Sequence, residues 1–259
     1  MNDLRSRGDR RLNTKSKLSQ IQKQMDRVFT RSSALFCVDV EAWEHDTKQI
    51  TEIGISIYDP SFQELALVPN IKTYHIRIAE GINFKNGDYV PDHSANFSGG
   101  DSYVFSRLQA RSLLQALINF YFGPNYPFFC SLVGHDLKGD IKWLENLGVS
   151  ISRNVRKLDT QTLFSYTHGR DRASLKNALR TLNQPYAFLH NAGNDAYYTI
   201  LLALKLCDPG VRRLTGIEYF QPGEYPGEPV KYRKYPTNES KLTAMPVLKL
   251  FDEIIGMEL

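Results

Sequence analysis

One compact apolar run and two stretches of alternating apolar and polar residues mark the first third of the chain. Ala34–Val40 is a compact apolar run with β-branched character, Thr51–Tyr58 alternates residue by residue, and Thr73–Ile78 alternates again. A period of two marks a half-buried strand. With Asp59-Pro60-Ser61 as a turn, these segments predict a three-stranded antiparallel meander. Past residue 105 the period lengthens. Leu108, Leu113, Leu114, Leu117, Ile118 and Tyr121 form a helical stripe over Arg107–Phe122, and a second helix over Asp136–Leu147 ends at Gly148. Pro127–Val133 reads as a buried strand, and Arg156–Leu158 as a short one before a helix at Thr160–Tyr166. Ser174 caps a helix reaching Leu182, and Ala192–Cys207 is a long apolar helix stopped by Asp208-Pro209-Gly210. Strands first, then alternating helices and strands, predict one α/β domain around a mixed five-stranded sheet flanked by helices. Residues 80–103 hold several glycines and no period, which predicts a long surface loop.

The 259 residues are 42% hydrophobic, with 14 Tyr and 14 Phe, enough for one sizeable core. No run approaches the roughly 18 apolar residues of a membrane span. Cys37, Cys130 and Cys207 are an odd, scattered set without metal-ligand spacing. They favour a soluble protein in a reducing interior, with nucleus and cytoplasm as the expected compartments.

Net charge is +4 but unevenly spread: residues 1–31 carry nine bases against Asp3, Asp9 and Asp26, leaving the remainder at about −2. A basic arm suits a polyanionic partner, because neutralising phosphates releases counterions; the bland alternative is a solvated terminus. A mitochondrial transit peptide is a competing reading, weakened by the three acids and the lack of a clear apolar face. The organisation expected is an arm over 1–31, where Ile21, Met25, Val28 and Phe29 allow one short docking helix. A domain over 32–208 follows, then a C-terminal extension over 209–259 packed on it and closing with a helix at Met245–Gly256.

Three distant segments carry acids in apolar frames. Asp39 and Glu41 lie two apart on the first strand, so they share a face, with Val40 turned the other way. Two carboxylates on one pleat face repel unless a cation lies between them, and hard divalent ions such as Mg²⁺ or Mn²⁺ take oxygen ligands. Asp140 follows Gly134-His135-Asp136 on the next helix; Asp136 is expected to cap that helix. Asp195 opens the Ala192–Cys207 helix, with His190 on the loop before it, where an imidazole can accept a proton at neutral pH. Four carboxylates and one imidazole suit metal-assisted phosphodiester hydrolysis.

These segments resemble the DEDDh group of 3′–5′ exonucleases, the RNase T and proofreading-subunit branch of the ribonuclease H-like fold, over about residues 34–207. Asp39 and Glu41 fit its first motif, Gly134-His135 with Asp140 its second, and His190, Ala192, Asp195, Ala196 and Thr199 its third. Ser174-Leu175 with Leu179 fits its S-L-x-x-L helix. A tyrosine subgroup would need Tyr at position 191, where Asn191 stands, so His190 decides the subgroup. The resemblance implies a ribonuclease H-like sheet and two metal ions, one held by Asp39, Glu41 and Asp195, the other bridged by Asp39 and supported by Asp140. His190 would act as general base. Relatives in this family include homodimers. Two departures stand out: Ala42-Trp43-Glu44 follows Glu41 where small residues are usual, and Asp136 replaces an Asn. With the long loop, the first departure resembles a fungal subgroup linked to mRNA export and RNA silencing. That implies single-stranded RNA as substrate and an export or silencing factor as partner. The alternative is a catalytically weak or inactive RNA-binding adaptor on the same fold.

Other residues carry weaker signals. Trp43 and the Phe and Tyr residues of 84–105 suit base stacking, and Lys231, Tyr232, Arg233 and Lys234 interleave bases with aromatics as strand-tracking segments do. Asp159 reads as a helix cap. His45, His75, His93, His135 and His168 show no metal spacing and read as structural or surface residues.

Overall fold

In the computed structural model, which describes residues 15–168, 173–217 and 239–256, the alternating segments become neighbouring strands. Helix α1 (Lys15–Phe29) leads into β1 (Ser33–Trp43), β2 (Asp46–Tyr58), β3 (Lys72–Ile78) and β4 (Ser102–Phe105). Then come α2 (Arg107–Tyr121), β5 (Phe129–Gly134), α3 (Leu137–Asn146), β6 (Arg156–Asp159), α4 (Thr160–His168), α5 (Leu175–Thr181) and α6 (Ala192–Cys207). Helix α7 (Pro209–Leu214), β7 (Leu242–Thr243) and α8 (Val247–Ile255) complete the order.

The sheet runs β6-β5-β1-β2-β3-β4-β7. Strand β2 is antiparallel to β1 and β3, whereas β5 pairs parallel with β1 and β6 parallel with β5. This is the ribonuclease H-like arrangement, a meander followed by parallel strands and flanked by helices. The expected strand count of five is corrected to seven, because β4 and β7 extend the β3 edge by parallel pairing. Both are too short to show an alternation of their own: β4 has four residues and β7 two.

Parity along β1 decides what each layer receives. Phe36, Val38 and Val40 join the core under α2, α3 and α8, while Leu35 and Cys37 join the core under α1, α4, α5 and α6. Burying each large apolar side chain contributes about 1.5–3 kcal/mol. Asp39 and Glu41 continue the Leu35 and Cys37 parity, so they emerge on the α6 side where packing gives way to solvent. Met25 and Val28 fix α1 to that same layer.

Local signals behave mostly as their chemistry dictates. Ser174 accepts the Asn177 amide to cap α5, and Gly148, at φ 85, ends α3. Asp159 caps α4 through the Thr162 amide. Asp136 is a correction: it occupies the N-cap position of α3 but at φ 70, without a side-chain capping bond. Asp208 stops α6 and accepts the Gly210 and Val211 amides, so the chain restarts at once as α7. The surface loop expected over 80–103 is present, with a buried portion that was not expected. Ser94 and Phe97 within it are buried, because its carbonyls and aromatic ring close over the start of α6. No helix among the described residues is long and apolar enough to cross a membrane.

Candidate active site

Two backbones meet to build this site. Gly54 of β2 lies opposite Asp39 of β1, and a Cβ there would collide with the Ala192 carbonyl and reach within 2.6 Å of the Gly193 amide nitrogen. A Cβ on Gly193 would in turn lie 2.9 Å from the Cβ of His75 and 2.7 Å from Phe97. Without side chains at 54 and 193, the first turn of α6 sits directly on the sheet. Asp195 is thereby brought beside β1.

Two buried asparagines hold that turn. Asn191 accepts the Asn194 amide and donates to the His93 carbonyl at 3.0 Å. Asn194 donates to the carbonyls of Asn96 (3.0 Å) and Phe188 (3.1 Å) and accepts the Ser98 amide. Phe188 and His190 both adopt left-handed backbone, at φ 48 and 68, a conformation non-glycine residues keep only when their surroundings enforce it. The His190 amide donates to Asp195 Oδ2 at 2.8 Å, while its ring, about half exposed, places Nδ1 4.0 Å from Glu41 Oε1.

The potential ligand atoms of Glu41, His190 and Asp195 all lie within 4.8 Å of one another. Asp39 and Asp140 stand beside them. Asp140 reaches over Gly134, and its carboxylate accepts the amide of Val40, between the two β1 acids. Burial pushes the carboxyls of Asp39, Glu41 and Asp140 well above the ordinary range. The negative charges of Asp140, Asp195 and Glu41 add to this at Asp39, and those of Glu52, Asp195 and Asp140 at Glu41. Asp195 is pushed up to about 7, mainly by burial. Burial lowers His190, with His93 and Lys176 adding to the effect, so its ring is neutral at pH 7.

One atom states what this crowding lacks. Asp195 Oδ1 is buried and has no hydrogen-bond partner among the described residues. Buried polar atoms are nearly always paired, and several carboxylates facing one point are the donor set for hard divalent cations. The group of Glu41, His190 and Asp195 therefore fits such an ion.

A family model described as the DEDDh-type, DNA polymerase III subunit epsilon-like C-terminal domain matches residues 34–206. The chain belongs to this family. The chain is 38% identical over 226 residues to an uncharacterised protein of Saccharomyces cerevisiae, YDR514C, covering 78% of this chain and 47% of that one. It is 35% identical over 228 residues to the Good for full DBP5 activity protein 2 of the same yeast, covering 78% and 40% respectively. The chain thus spans less than half the length of these two curated relatives. Among solved structures it is similar to the Saccharomyces cerevisiae Pan2 pseudoubiquitin hydrolase–RNA exonuclease module in complex with A7 RNA. There the TM-score is 0.40 at 18% identity, over 73% of this chain and 31% of that one.

Other parts of the DEDDh domain answer the weaker sequence signals. Trp43 is half-buried and stacks on Phe84, with centroids 4.8 Å apart and planes 13° apart, and His45 meets it edge-on. Glu44 accepts the amides of Asp88, Tyr89 and Val90 at 2.8–2.9 Å. Asn86 bonds both Glu44 N–H and the Ala42 carbonyl. The unusual Ala42-Trp43-Glu44 string is thus the clamp for the loop over 84–90. Lys231, Tyr232, Arg233 and Lys234 lie outside the described residues.

Sequence reasoning missed Glu52 and the role of His75. Glu52 lies opposite Glu41 on the sheet. It is buried, bonded to His75 Nε2 at 2.8 Å, and accepts the Ala192 amide at 3.3 Å. His75 Nδ1 continues to Ser102, and Ser102 to Ser240. A buried Glu in an alternating strand, and Gly54 within the same strand, were the available signals.

Proposed function

We propose that this DEDDh domain is a metal-dependent 3′–5′ exonuclease acting on single-stranded nucleic acid, with RNA as the preferred substrate. The unpartnered, buried Oδ1 of Asp195, whose carboxylate groups with Glu41 and His190, carries the reading. Two Mg²⁺ or Mn²⁺ ions held by Asp39, Glu41, Asp140 and Asp195 would supply an acidified water and charge neutralisation at the scissile phosphate. The protein does the rest. His190, neutral and on a strained loop, accepts the proton of the attacking water at its imidazole. The hydrogen bond its backbone N–H donates to Asp195 keeps that base beside the donor set whichever way the ring turns. Glu44 locks the loop over 84–90, so Trp43, Phe84 and the exposed Tyr89 form an aromatic wall suited to stacking on a terminal base.

RNA, a nuclear or cytoplasmic setting, and an export or silencing partner follow from the fungal subgroup that the Ala42-Trp43-Glu44 string resembles. The relative named for full DBP5 activity supports a protein partner of that kind. The test uses 5′-labelled single-stranded RNA and DNA with Mg²⁺ or Mn²⁺, beside chelator and the Asp39→Ala and His190→Ala variants. A metal-dependent ladder shortening from the 3′ end, lost in both variants, is expected. Intact oligonucleotides that remain bound would overturn the enzyme and leave the RNA-binding adaptor.

A further inference from the structure

Among the described residues, four cations line one concavity away from the acids. Gln20, Lys23, Gln24 and Arg27 of α1 face Arg156 and Lys157 of β6 across a groove of about 250 Å³. The α1 residues recur at i, i+3, i+4 and i+7, one helical stripe. The neighbouring stripe of Ile21, Met25 and Val28 packs on the body. Docking the apolar stripe therefore turns the basic one toward the edge strand. Gln24 stitches the two walls together by donating to the Lys157 carbonyl at 2.9 Å.

Nothing in the lining balances the four cations. It contains no carboxylate, and among the described residues none of Lys23, Arg27, Arg156 and Lys157 makes an ion pair. The two arginines are held by an aromatic ring instead. The guanidinium carbons of Arg27 and Arg156 lie 4.2 and 4.3 Å from the ring centroid of Phe129, which is 45% exposed. Stacking on a ring fixes a guanidinium without neutralising it. Its N–H groups stay free for an anion, and like charges crowded together favour one that touches several.

We infer that this groove binds the phosphate backbone of a single-stranded nucleic acid, as a second contact separate from the acidic site. The inference rests on the proposed function only in linking the two contacts on one strand. A membrane surface suits the groove poorly, because its lining is concave and polar, and the exposed Phe129 ring beside it lies under two arginines. An acidic peptide would meet the cations but would leave the phosphodiester site without a connection. Strand pairing sets the distance: Arg156 pairs with Ser131, Ser131 with Leu35, and Leu35 precedes Asp39 by four residues. Two strand spacings and four rises place Arg156 about 16 Å from Asp39. A single strand whose 3′ end lies among the acids could reach the groove with its upstream phosphates.

The test measures binding alone, on the full chain in chelator so that nothing is cleaved. Fluorescein-labelled oligouridylates of about 20 and about 4 nucleotides are titrated at several salt concentrations, bracketing ordinary strand-binding site sizes. Arg156→Glu with Lys157→Glu should weaken the long oligomer about tenfold or more and lower its salt slope by about 1.4, for two lost phosphate contacts. The short oligomer should bind unchanged. Lys23→Glu on the opposite wall should move the long oligomer in the same direction, which guards against one wall simply misfolding. Wild-type affinity and slope for the long oligomer in both variants would overturn the inference. So would equal losses for both lengths, or capture of phosphatidylserine vesicles or polyglutamate in place of RNA. Because no hydrolysis is read, an inactive acidic site leaves this result intact, and an active enzyme with an indifferent groove refutes only the groove.

Discussion

Strands β1 and β2 carry two glutamates opposite each other, and each has a histidine. Glu52 and His75 are both buried, 2.8 Å apart, and every neighbour answers them: Ser102, the Ala192 amide and, at 3.4 Å, the Asn191 side chain. The largely buried Glu41 and the half-exposed His190 stand 4.0 Å apart, beside a buried carboxylate oxygen without a hydrogen-bond partner among the described residues. The same residue types one strand apart thus do opposite work. A satisfied polar cluster specifies position; an unsatisfied one awaits a ligand. The first holds the start of α6 still, and the second uses what α6 carries.

The comparison breaks most visibly at the ligand end. Asp195→Asn should remove nuclease activity by about three orders of magnitude or more while leaving the fold intact, since one donor and one charge are lost together. Single-turnover rates with calorimetric metal titration check this; unchanged metal affinity would sink it. His190→Ala should cost about 10²–10⁴-fold in rate with little change in metal affinity, as loss of a general base does. Collapse of metal affinity instead would reassign His190 as a ligand.

The satisfied cluster should respond in stability. His75→Ala strands Glu52 in the interior and should cost about 3–5 kcal/mol. Glu52→Gln with His75→Gln, which keeps hydrogen bonds without charge, should cost clearly less. Urea unfolding of both decides it, and equal losses would mean the pair is ordinary packing. The acids of the site predict a dependence of stability on pH. Their folded carboxyls titrate above their unfolded values, Asp195 near 7. The folded state therefore holds extra protons between about pH 4 and 7, and stability is lost as pH rises through that window. Without metal the melting midpoint should fall by several degrees from pH 5 to pH 8, and Mn²⁺ should reduce the fall. A flat profile in chelator would refute the crowding. The smallest effect belongs to Trp43→Ala, which should raise KM for oligonucleotides about tenfold, as loss of one stacked base does, with kcat nearly unchanged.

What could be read in advance follows a physical line. Helix α6 was legible to the residue, Ala192–Cys207, because a long apolar run between Asn191 and Asp208-Pro209 is local information. The β1 acids were legible because a period of two assigns faces without any partner. Strands β4 and β7 were not, since four and two residues carry no period and exist only through parallel pairing. The burial within the loop over 80–103 was not legible for a related reason. Its polar carbonyls are addressed to Asn191 and Asn194, a hundred residues away. Asp136 showed the limit of residue type: an acid before a helix predicts a cap, but a left-handed backbone turns its side chain from that task.

The contact between Gly54 and the first turn of α6 sets more than a position. A joint made of two main chains has no side chain to repack, so its thickness is fixed by atomic radii shared by every protein. Substitutions can accumulate through both cores, softening or stiffening the molecule, while the gap between Asp39 and Asp195 keeps its gauge. A side chain added at either glycine would reopen that gap directly.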